Sequence, residues 1–465
     1  MENFELFKKN INKKKIAVLG LGISNKPLVK LLVKCGSYVT IFDEKIKSKW
    51  IHNNFIKSKI RFVVGENSFS KLEDEQYQYI FRSPGIRRDL NVISSLEKLG
   101  SIVTSEMEIF FKYCKAPIFG ITGSNGKSTT TTLIYEILKN YGYKCRIGGN
   151  IGNPLLYDIE NIMPNEKIIV ELSSFQLQSF TKSPDVAVIT NVSPNHLNWH
   201  KDYEEYIKCK ENIFVHQNKN NLLILNYDNE ITRDFSKKHK GKILFFSLNN
   251  DLETGIVLND DSICHKEKGK YKKIINIHDI LIKGKHNIEN YMAAIAAVMS
   301  LVEMENIETI TKNFRGLPHR AEFIKNIQGV SYYNSSIDSS PERTIATLNV
   351  FKKKVVLICG GQSKGNSYDE LGRVIAEKVK KLILIGDTAD LIEKSLKNYL
   401  FDNKIVTSPE IFRCSSYVEI VKIAKKISHT EDIVILSPAS TSFDMFQNFE
   451  ERGNLFKRLI QEISY

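Results

Sequence analysis

The run Gly120-Ile-Thr-Gly-Ser-Asn-Gly-Lys-Ser-Thr129 decides how this chain is read. It follows the apolar Pro117-Ile-Phe119 and precedes a helix-like stretch from Thr130 to Asn140. Strand, glycine loop and helix, in that order, form the context of a phosphate-binding loop. Gly123 and Gly126, flanking Asn125, let backbone N–H groups turn toward one point. The helix N-terminus adds partial positive charge and Lys127 a full one. Ser128 offers a hydroxyl to a magnesium ion. The expected occupant is a nucleoside triphosphate with its metal. The usual pattern has Gly where Ile121 stands. A plain turn between strand and helix is the alternative, and Gly126-Lys-Ser-Thr129 argues against it.

Around this loop lie 465 residues, room for about three domains at ordinary domain size. With 42% hydrophobic and 26% charged residues, the composition is that of a soluble globular protein. No apolar run reaches the roughly 18 residues a membrane span needs. The first fifteen residues are polar and lysine-rich, unlike a secretory signal. The 7 cysteines are scattered and include no Cys-x-x-Cys pair, which suits a reducing cytoplasm. The net charge of +13 raises nucleic-acid binding. However, the lysines spread along the chain without an aromatic-interleaved tract. A solvated basic surface with local sites for small polyanions is the expectation, with no nucleic-acid partner.

Three α/β units are expected. Residues 1–104 alternate strands (16–19, 38–42, 61–64, 79–81) with helical spacing over 25–35, as in a doubly wound, Rossmann-like parallel sheet. Residues 105–316 hold the phosphate loop in a central ATPase-like sheet. Its further strands are 167–170, 186–190 and 221–225, and a helix covers 287–302. Residues 228–283 are polar, with short β-like pieces. Residues 317–465 repeat the α/β alternation, with strands at 354–358, 381–385 and 432–436, and read as a second Rossmann-like unit.

Several loops carry chemistry. Gly20-Leu-Gly22-Ile-Ser-Asn25 follows the first strand and Asp43 closes the second, imitating a dinucleotide fingerprint without its third glycine. A tight turn and a nucleotide-diphosphate site are equal readings, and Ser83-Pro84-Gly85 could face the same crevice. Glu171 ends an apolar strand, where a carboxylate can hold magnesium or cap a helix. His196 lies just beyond a strand end, and either a structural role or a metal or substrate role is open. Lys210 sits on a helix, 203–214, and from composition is a surface lysine. Gly360-Gly-Gln-Ser-Lys364 and Ser437-Pro-Ala-Ser-Thr-Ser442-Phe443-Asp444 follow strands of the last unit. Together they could clamp a carboxylate.

These residues together resemble the Mur ligase family, the ATP-dependent amide-forming enzymes of peptidoglycan synthesis. The likeness runs from Gly20 to the C-terminal helix. It rests on Thr122-Gly-Ser-Asn-Gly-Lys-Ser-Thr129, Gly149-Asn150-Ile-Gly152, Glu171-Leu-Ser-Ser174, Asn195-His196-Leu197 and Gly284-Lys-His-Asn287-x-x-Asn290. Ser83-Pro-Gly-Ile86, Leu317-Pro-His-Arg320 and Ser437-Pro-Ala-x-x-Ser-x-Asp444, continuing to Asn448-Phe-Glu-x-Arg-Gly453, point within it to the D-glutamate-adding branch.

The resemblance implies the roles. Lys127, Ser128 and Thr129, with Gly123, Asn125 and Gly126, would hold ATP; Asn287 and Arg320 would contact it. Two Mg2+ ions are implied, with Ser128, Glu171, His196 and a carbamylated Lys210 as ligands; Lys127, His196 and Lys210 are the catalytic set. Ile23, Ser24, Asp43, Gly85 and Asn150 would bind UDP-N-acetylmuramoyl-L-alanine. Ser339, Lys364, Ser442 and Phe443 would hold D-glutamate. The chain departs from the family at Ser335, where Asp is usual, and at Ile337, where many relatives carry Lys. The implied reaction is amide formation through an acyl phosphate, by a cytoplasmic monomer.

Overall fold

The computed structural model describes residues 3–22, 24–44, 60–197, 199–282, 284–363 and 365–463. Two compact units divide the chain: Met1–Asp279 with Lys285–Lys312, and Ile280–Gly284 with Asn313–Tyr465.

The first unit contains two sheets. The N-terminal one comprises β1 (Lys15–Leu19), β2 (Tyr38–Asp43), β3 (Ile60–Val64), β4 (Tyr79–Arg82) and β5 (Ile102–Thr104), in the order β3-β2-β1-β4-β5. Every pairing is parallel. Ile16, Ala17, Val18 and Leu19 are all fully buried. A parallel strand covered by helices on both faces reads as such a continuous apolar run. The order reverses beside β1, so loops at the carboxyl ends of β1, β2 and β4 open onto one crevice.

The central sheet comprises β6 (Ile118–Thr122), β7 (Cys145–Gly149), β8 (Lys167–Glu171), β9 (Val186–Ile189), β10 (Leu222–Asn226), β11 (Lys242–Ser247), β12 (Gly255–Asn259), β13 (Ser262–Glu267) and β14 (Lys270–Asn276). Their order is β14-β13-β12-β11-β10-β9-β6-β8-β7. It is parallel from β7 to β12 and antiparallel in the β12–β13–β14 meander. The poorly legible stretch 228–283 therefore supplies the four strands β11–β14, after a short helix at Glu230–Phe235. The strand β6, wholly buried, lies between β8 and β9, and its loop stands at the second reversal of strand order.

The second unit has one sheet: β15 (Glu322–Ile327), β16 (Val330–Asn334), β17 (Val355–Cys359), β18 (Val379–Leu384), β19 (Glu410–Arg413) and β20 (Ile433–Leu436), ordered β15-β16-β20-β17-β18-β19. Only the β15–β16 pair is antiparallel. Separate apolar clusters cover its two faces, one around Ile358 and Phe456, the other around Leu357 and Leu371. Among the described residues no helix is long and apolar enough to cross a membrane.

Candidate active site

The loop after β6 needs its glycines. Gly123 has φ +151° and Gly126 φ +82°. A Cβ on Gly123 would stand 1.9 Å from Thr190 Oγ1, and one on Gly126 2.1 Å from Asn290 Oδ1. Gly126 caps the helix Lys127–Asn140, so Lys127, Ser128 and Thr129 form its first turn. The segment leaving β9 braces the loop. Ser124 N donates to Asn191 O (2.8 Å) and Ser124 Oγ to Ser193 O (2.9 Å). Thr190 Oγ1 donates to Asn125 O (2.5 Å), and Asn191 Oδ1 accepts from Asn125 N (3.0 Å). From the other side the helix Lys285–Val298 presents Asn290, which accepts from Thr130 Oγ1 (3.4 Å) and donates to Asn287 Oδ1 (3.2 Å). Lys127 Nζ donates to Gly123 O (2.9 Å) and Ser124 O (3.0 Å).

Lys210 is not a surface lysine. It lies on the helix Tyr203–Glu211 and is 1% exposed. Its Nζ donates to Gly123 O (2.8 Å) and Thr122 Oγ1 (3.4 Å), and sits 4.7 Å from the Tyr206 ring centroid. Burial, and then the Lys127 ammonium, hold its pKa well below the ordinary lysine range. Polar neighbours along the helix gave no sign of this in the sequence.

Glu171 ends β8 beside Ile121 of β6. It caps no helix. The next helix, Ser174–Leu177, is capped by Ser173 in a reciprocal box with Gln176. The Glu171 side chain is buried; Oε1 accepts from Asn150 Nδ2 (2.7 Å), while Oε2 has no hydrogen-bond partner. A buried carboxylate oxygen left in this condition is costly, and a cation would satisfy it. His196 follows β9 in the left-handed region, at φ +56°. Partial burial and then the charges of Lys127 and Lys210 lower its pKa, which favours the neutral imidazole that ligates metals. Among the described residues no three His, Cys, Asp or Glu side chains gather at one metal site. Glu171 and His196 are the only two such residues in the expected ligand set; Ser128 and Lys210 supply its other donors.

Ser24, Asp43 and Gly85, three of the expected nucleotide-sugar residues, lie at the carboxyl ends of β1, β2 and β4. Gly20, at φ +76°, approaches Ser83 so closely that a Cβ would lie 3.0 Å from Ser83 Cβ. Asn25 stands where a fingerprint's third glycine would be. It is buried, and its amide donates to Gly20 O (2.8 Å) and Leu19 O (3.3 Å), closing the turn. Asp43 Oδ2 accepts from Leu21 N (2.6 Å), tying the β1 and β2 loops together. Ser24 precedes the helix Asn25–Lys34, and Gly85 O accepts from Trp199 Nε1 (3.0 Å). Ile23 and Lys364 lie outside the described residues.

Arg320, Ser339, Ser442 and Phe443 belong to the second unit. There Gly360, at φ +119°, leaves no room for a Cβ, which would stand 1.9 Å from Ile385 O. The buried Arg452 clamps two loops, donating to Ser336 Oγ (2.9 Å), Ser336 O (2.8 Å) and Ser440 O (3.1 Å). Asp338 accepts from Ser437 Oγ (2.8 Å) and Thr347 Oγ1 (2.8 Å). Ser442 is buried; Phe443 is 60% exposed. At the departure points, Ser335 Oγ accepts from Ala321 N (3.0 Å) and Ile337 O accepts from Arg343 Nη1 (3.2 Å).

Sequence reasoning expected the phosphate loop, Glu171 and His196 as site residues, and the structure sets them after β6, at the end of β8 and beyond β9. It assigned no role to Thr190, Asn191, Ser193 or Tyr206, which shape the loop. The signal available was position alone: the first three directly follow β9, the neighbour of β6.

Comparison with known proteins agrees with this architecture. Residues 121–298 match the Mur ligase middle domain, and residues 319–440 the Mur ligase glutamate ligase domain. The chain is 48% identical over 461 residues to the UDP-N-acetylmuramoylalanine–D-glutamate ligase of Ruminiclostridium cellulolyticum, covering 99% of each. It is 49% identical to the protein so named in Acetivibrio thermocellus, covering 98% of each. Among solved structures its fold is similar to UDP-N-acetylmuramate-alanine ligase from Thermotoga maritima (TM-score 0.56, 18% identity, 96% of this chain and 99% of that one). It is also similar to the MurF ligase of Thermotoga maritima in complex with ADP (TM-score 0.52, 16% identity, 98% and 97%). With near-half identity over its whole length to proteins of one name, the chain belongs to the Mur ligase family, in its UDP-N-acetylmuramoylalanine–D-glutamate ligase branch.

Proposed function

We propose that this chain joins D-glutamate to UDP-N-acetylmuramoyl-L-alanine at the expense of ATP, in peptidoglycan precursor synthesis. The observation that carries the reading is the near-half identity to ligases of that name over the whole chain, with an intact phosphate loop. Direct attack of an amine on a carboxylate fails because oxide is a very poor leaving group. Transfer of the γ-phosphoryl group to the L-alanine carboxylate gives an acyl phosphate, which the D-glutamate amine then attacks. The tetrahedral intermediate collapses with loss of phosphate.

Lys127 and the N–H groups of the helix N-terminus stabilise the charge on the phosphoryl oxygens. Gly123 and Gly126 allow close approach of that backbone; Asn125, Ser128, Thr129, Asn287 and Arg320 complete the nucleotide contacts. Magnesium, when bound, offsets phosphate charge and polarises the transferred group. The orphaned Glu171 Oε2 supports such a cation, with Ser128, His196 and Lys210 as further ligands. Two ions are proposed. A neutral Lys210 amine is the form that captures CO2, forming an N–C bond and releasing a proton to solvent. The resulting carbamate would serve as a carboxylate ligand. Ile23, Ser24, Asp43, Gly85 and Asn150 receive the nucleotide-sugar, and Ser339, Lys364, Ser442 and Phe443 the D-glutamate. We assign residues 1–104, 105–316 and 317–465 as the substrate, ATP and amino-acid domains of a cytoplasmic monomer.

The test is ADP release from ATP with UDP-N-acetylmuramoyl-L-alanine, varying the amino acid. Release requiring D-glutamate, and unsupported by L-glutamate, L-lysine or diaminopimelate, is expected. Turnover with another amino acid and none with D-glutamate overturns the assignment.

A further inference from the structure

Arg87 lies in the loop after β4, on the nucleotide-sugar side, yet two of its partners, Trp199 and Glu205, belong to the central sheet's segment after β9. Its guanidinium donates to the backbone oxygen of Trp199 and, through Nη2, to Glu205 Oε1 (2.7 Å). It also pairs with Asp89 (2.8 and 2.9 Å) and stacks over the Trp199 ring at 4.9 Å. Asp89 in turn pairs with Lys201 (2.9 Å). Trp199 returns the contact, donating from Nε1 to Gly85 O. Arg87 and Glu205 are both mostly buried, so their pairing is screened less than a surface ion pair.

The partners of Arg87 reach three pieces of the metal and phosphate site. Trp199 is three residues past His196, and Phe175, four residues past Glu171, packs on both (ring centroids 4.5 and 4.9 Å). Glu205 lies in the first turn of the helix whose next-to-last residue is Lys210. The buried His200, which shares a hydrogen bond with Ser174 Oγ (2.9 Å), lies 3.7 Å from Glu205. The loop holding Gly85 is thus bolted to the segments that carry Glu171, His196 and Lys210.

We propose that Arg87 is a positioning residue that couples the two substrate sites: binding of the nucleotide-sugar at the Gly85 loop sets the loop of His196 and the helix of Lys210 for Mg-nucleotide, and the reverse. Such coupling is reciprocal. A guanidinium suits the task because its planar fork can hold Glu205, Asp89 and the Trp199 backbone at once, as a lysine cannot. The inference rests on the function proposed above.

The chain has two tryptophans, Trp50 and Trp199. In a Trp50→Phe background, Trp199 emission reports the latch. UDP-N-acetylmuramoyl-L-alanine is titrated with and without a non-hydrolysable ATP analogue and Mg2+, and affinities are confirmed by calorimetry. The expected result is at least ~5-fold tighter sugar binding with the nucleotide present. In Arg87→Ala that factor falls to near one, while affinity for each ligand alone changes less than ~3-fold and the melting temperature is retained. Should Arg87→Ala fail to fold, Glu205→Gln tests the same link and reduces the factor partway. A coupling factor unchanged in Arg87→Ala, or absent from the parent, overturns the proposal. Failure of the parent to bind the nucleotide-sugar at all overturns the ligase assignment instead.

Discussion

Lys210 Nζ donates to the carbonyl of Gly123 at 2.8 Å, so a buried lysine from a distant helix sits directly beneath the phosphate loop. A protonated amine there would face the Lys127 charge with little solvent, which is why its proton is weakly held. We propose that this weakly held proton favours the uncharged amine, the form that captures CO2. We expect Lys210→Ala to lose at least ~100-fold in kcat, a penalty typical of a lost charge-stabilising group. Acetate or formate should restore part of it. Carbon-13 NMR of enzyme equilibrated with labelled bicarbonate should show a carbamate signal missing from the variant. A normal rate in CO2-depleted buffer, with no signal, would exclude the modification.

Lys127 is the charge of the loop itself. Its removal costs the loop two hydrogen bonds, to Gly123 O and Ser124 O, but should leave the turn in place, because Gly123, Gly126 and the bracing from Thr190 to Ser193 also fix the backbone. Lys127→Ala should reduce ADP release by ~1000-fold or more while far-UV circular dichroism and melting temperature stay close to those of the parent. Retained ligase activity would refute the assigned role.

Gly126 illustrates a steric rather than an electrostatic requirement. At φ +82°, with Asn290 Oδ1 2.1 Å from a virtual Cβ, Gly126→Ala carries both backbone strain and a clash. The expected cost is about 1–3 kcal/mol, with loss of nucleotide affinity. Adding Asn290→Ala removes the clash but not the strain. The double variant should therefore recover stability in part, and additive losses in denaturant titrations would show that the two residues do not meet.

The legible parts of this chain share one physical property. Strands β1, β6, β8 and β20 are buried on both faces and read as apolar runs, and the glycine loop declares its own backbone demands. Glu171 was visible because a carboxylate directly follows such a run. The meander β12–β14 was not. The segment Lys270–Asn276 exposes Lys270, Tyr271, Lys272 and Lys273 before burying Ile274 and Ile275, which suits an edge strand and hides its period. Lys210 was invisible for a similar reason. Its helix reads Tyr-Glu-Glu-Tyr-Ile-Lys-Cys-Lys-Glu, and nothing local separates the exposed Lys208 from the buried Lys210. Only the packing of that helix against the β6 loop does so, and the contact spans 87 residues of sequence.

Glu171 supplies the next prediction. One oxygen is held by Asn150 and the other is free to face a cation. Glu171→Gln keeps the shape but removes the charge. The Mg2+ concentration giving half-maximal ADP release should rise on the order of 10–100-fold, at least the loss seen when outer-shell partners of a metal are removed. An unchanged Mg2+ requirement would place the ion elsewhere.

Stability against pH offers a test away from the active site. Glu106 opens the helix Glu106–Tyr113, is fully buried, and accepts from Leu156 N (2.8 Å). Burial raises its pKa from 4.5 to about 7. The folded state therefore binds this proton more tightly than the unfolded chain. Its stabilising contribution is whole below pH 4.5 and is lost as pH rises toward 7, because ionisation in the fold costs more than in water. The shift corresponds to a loss on the order of 3 kcal/mol. Glu106→Gln cannot ionise, so the difference in unfolding free energy between variant and parent should grow in the variant's favour from pH 5 to pH 7.5 and level off above. A difference independent of pH would mean that the carboxyl titrates normally.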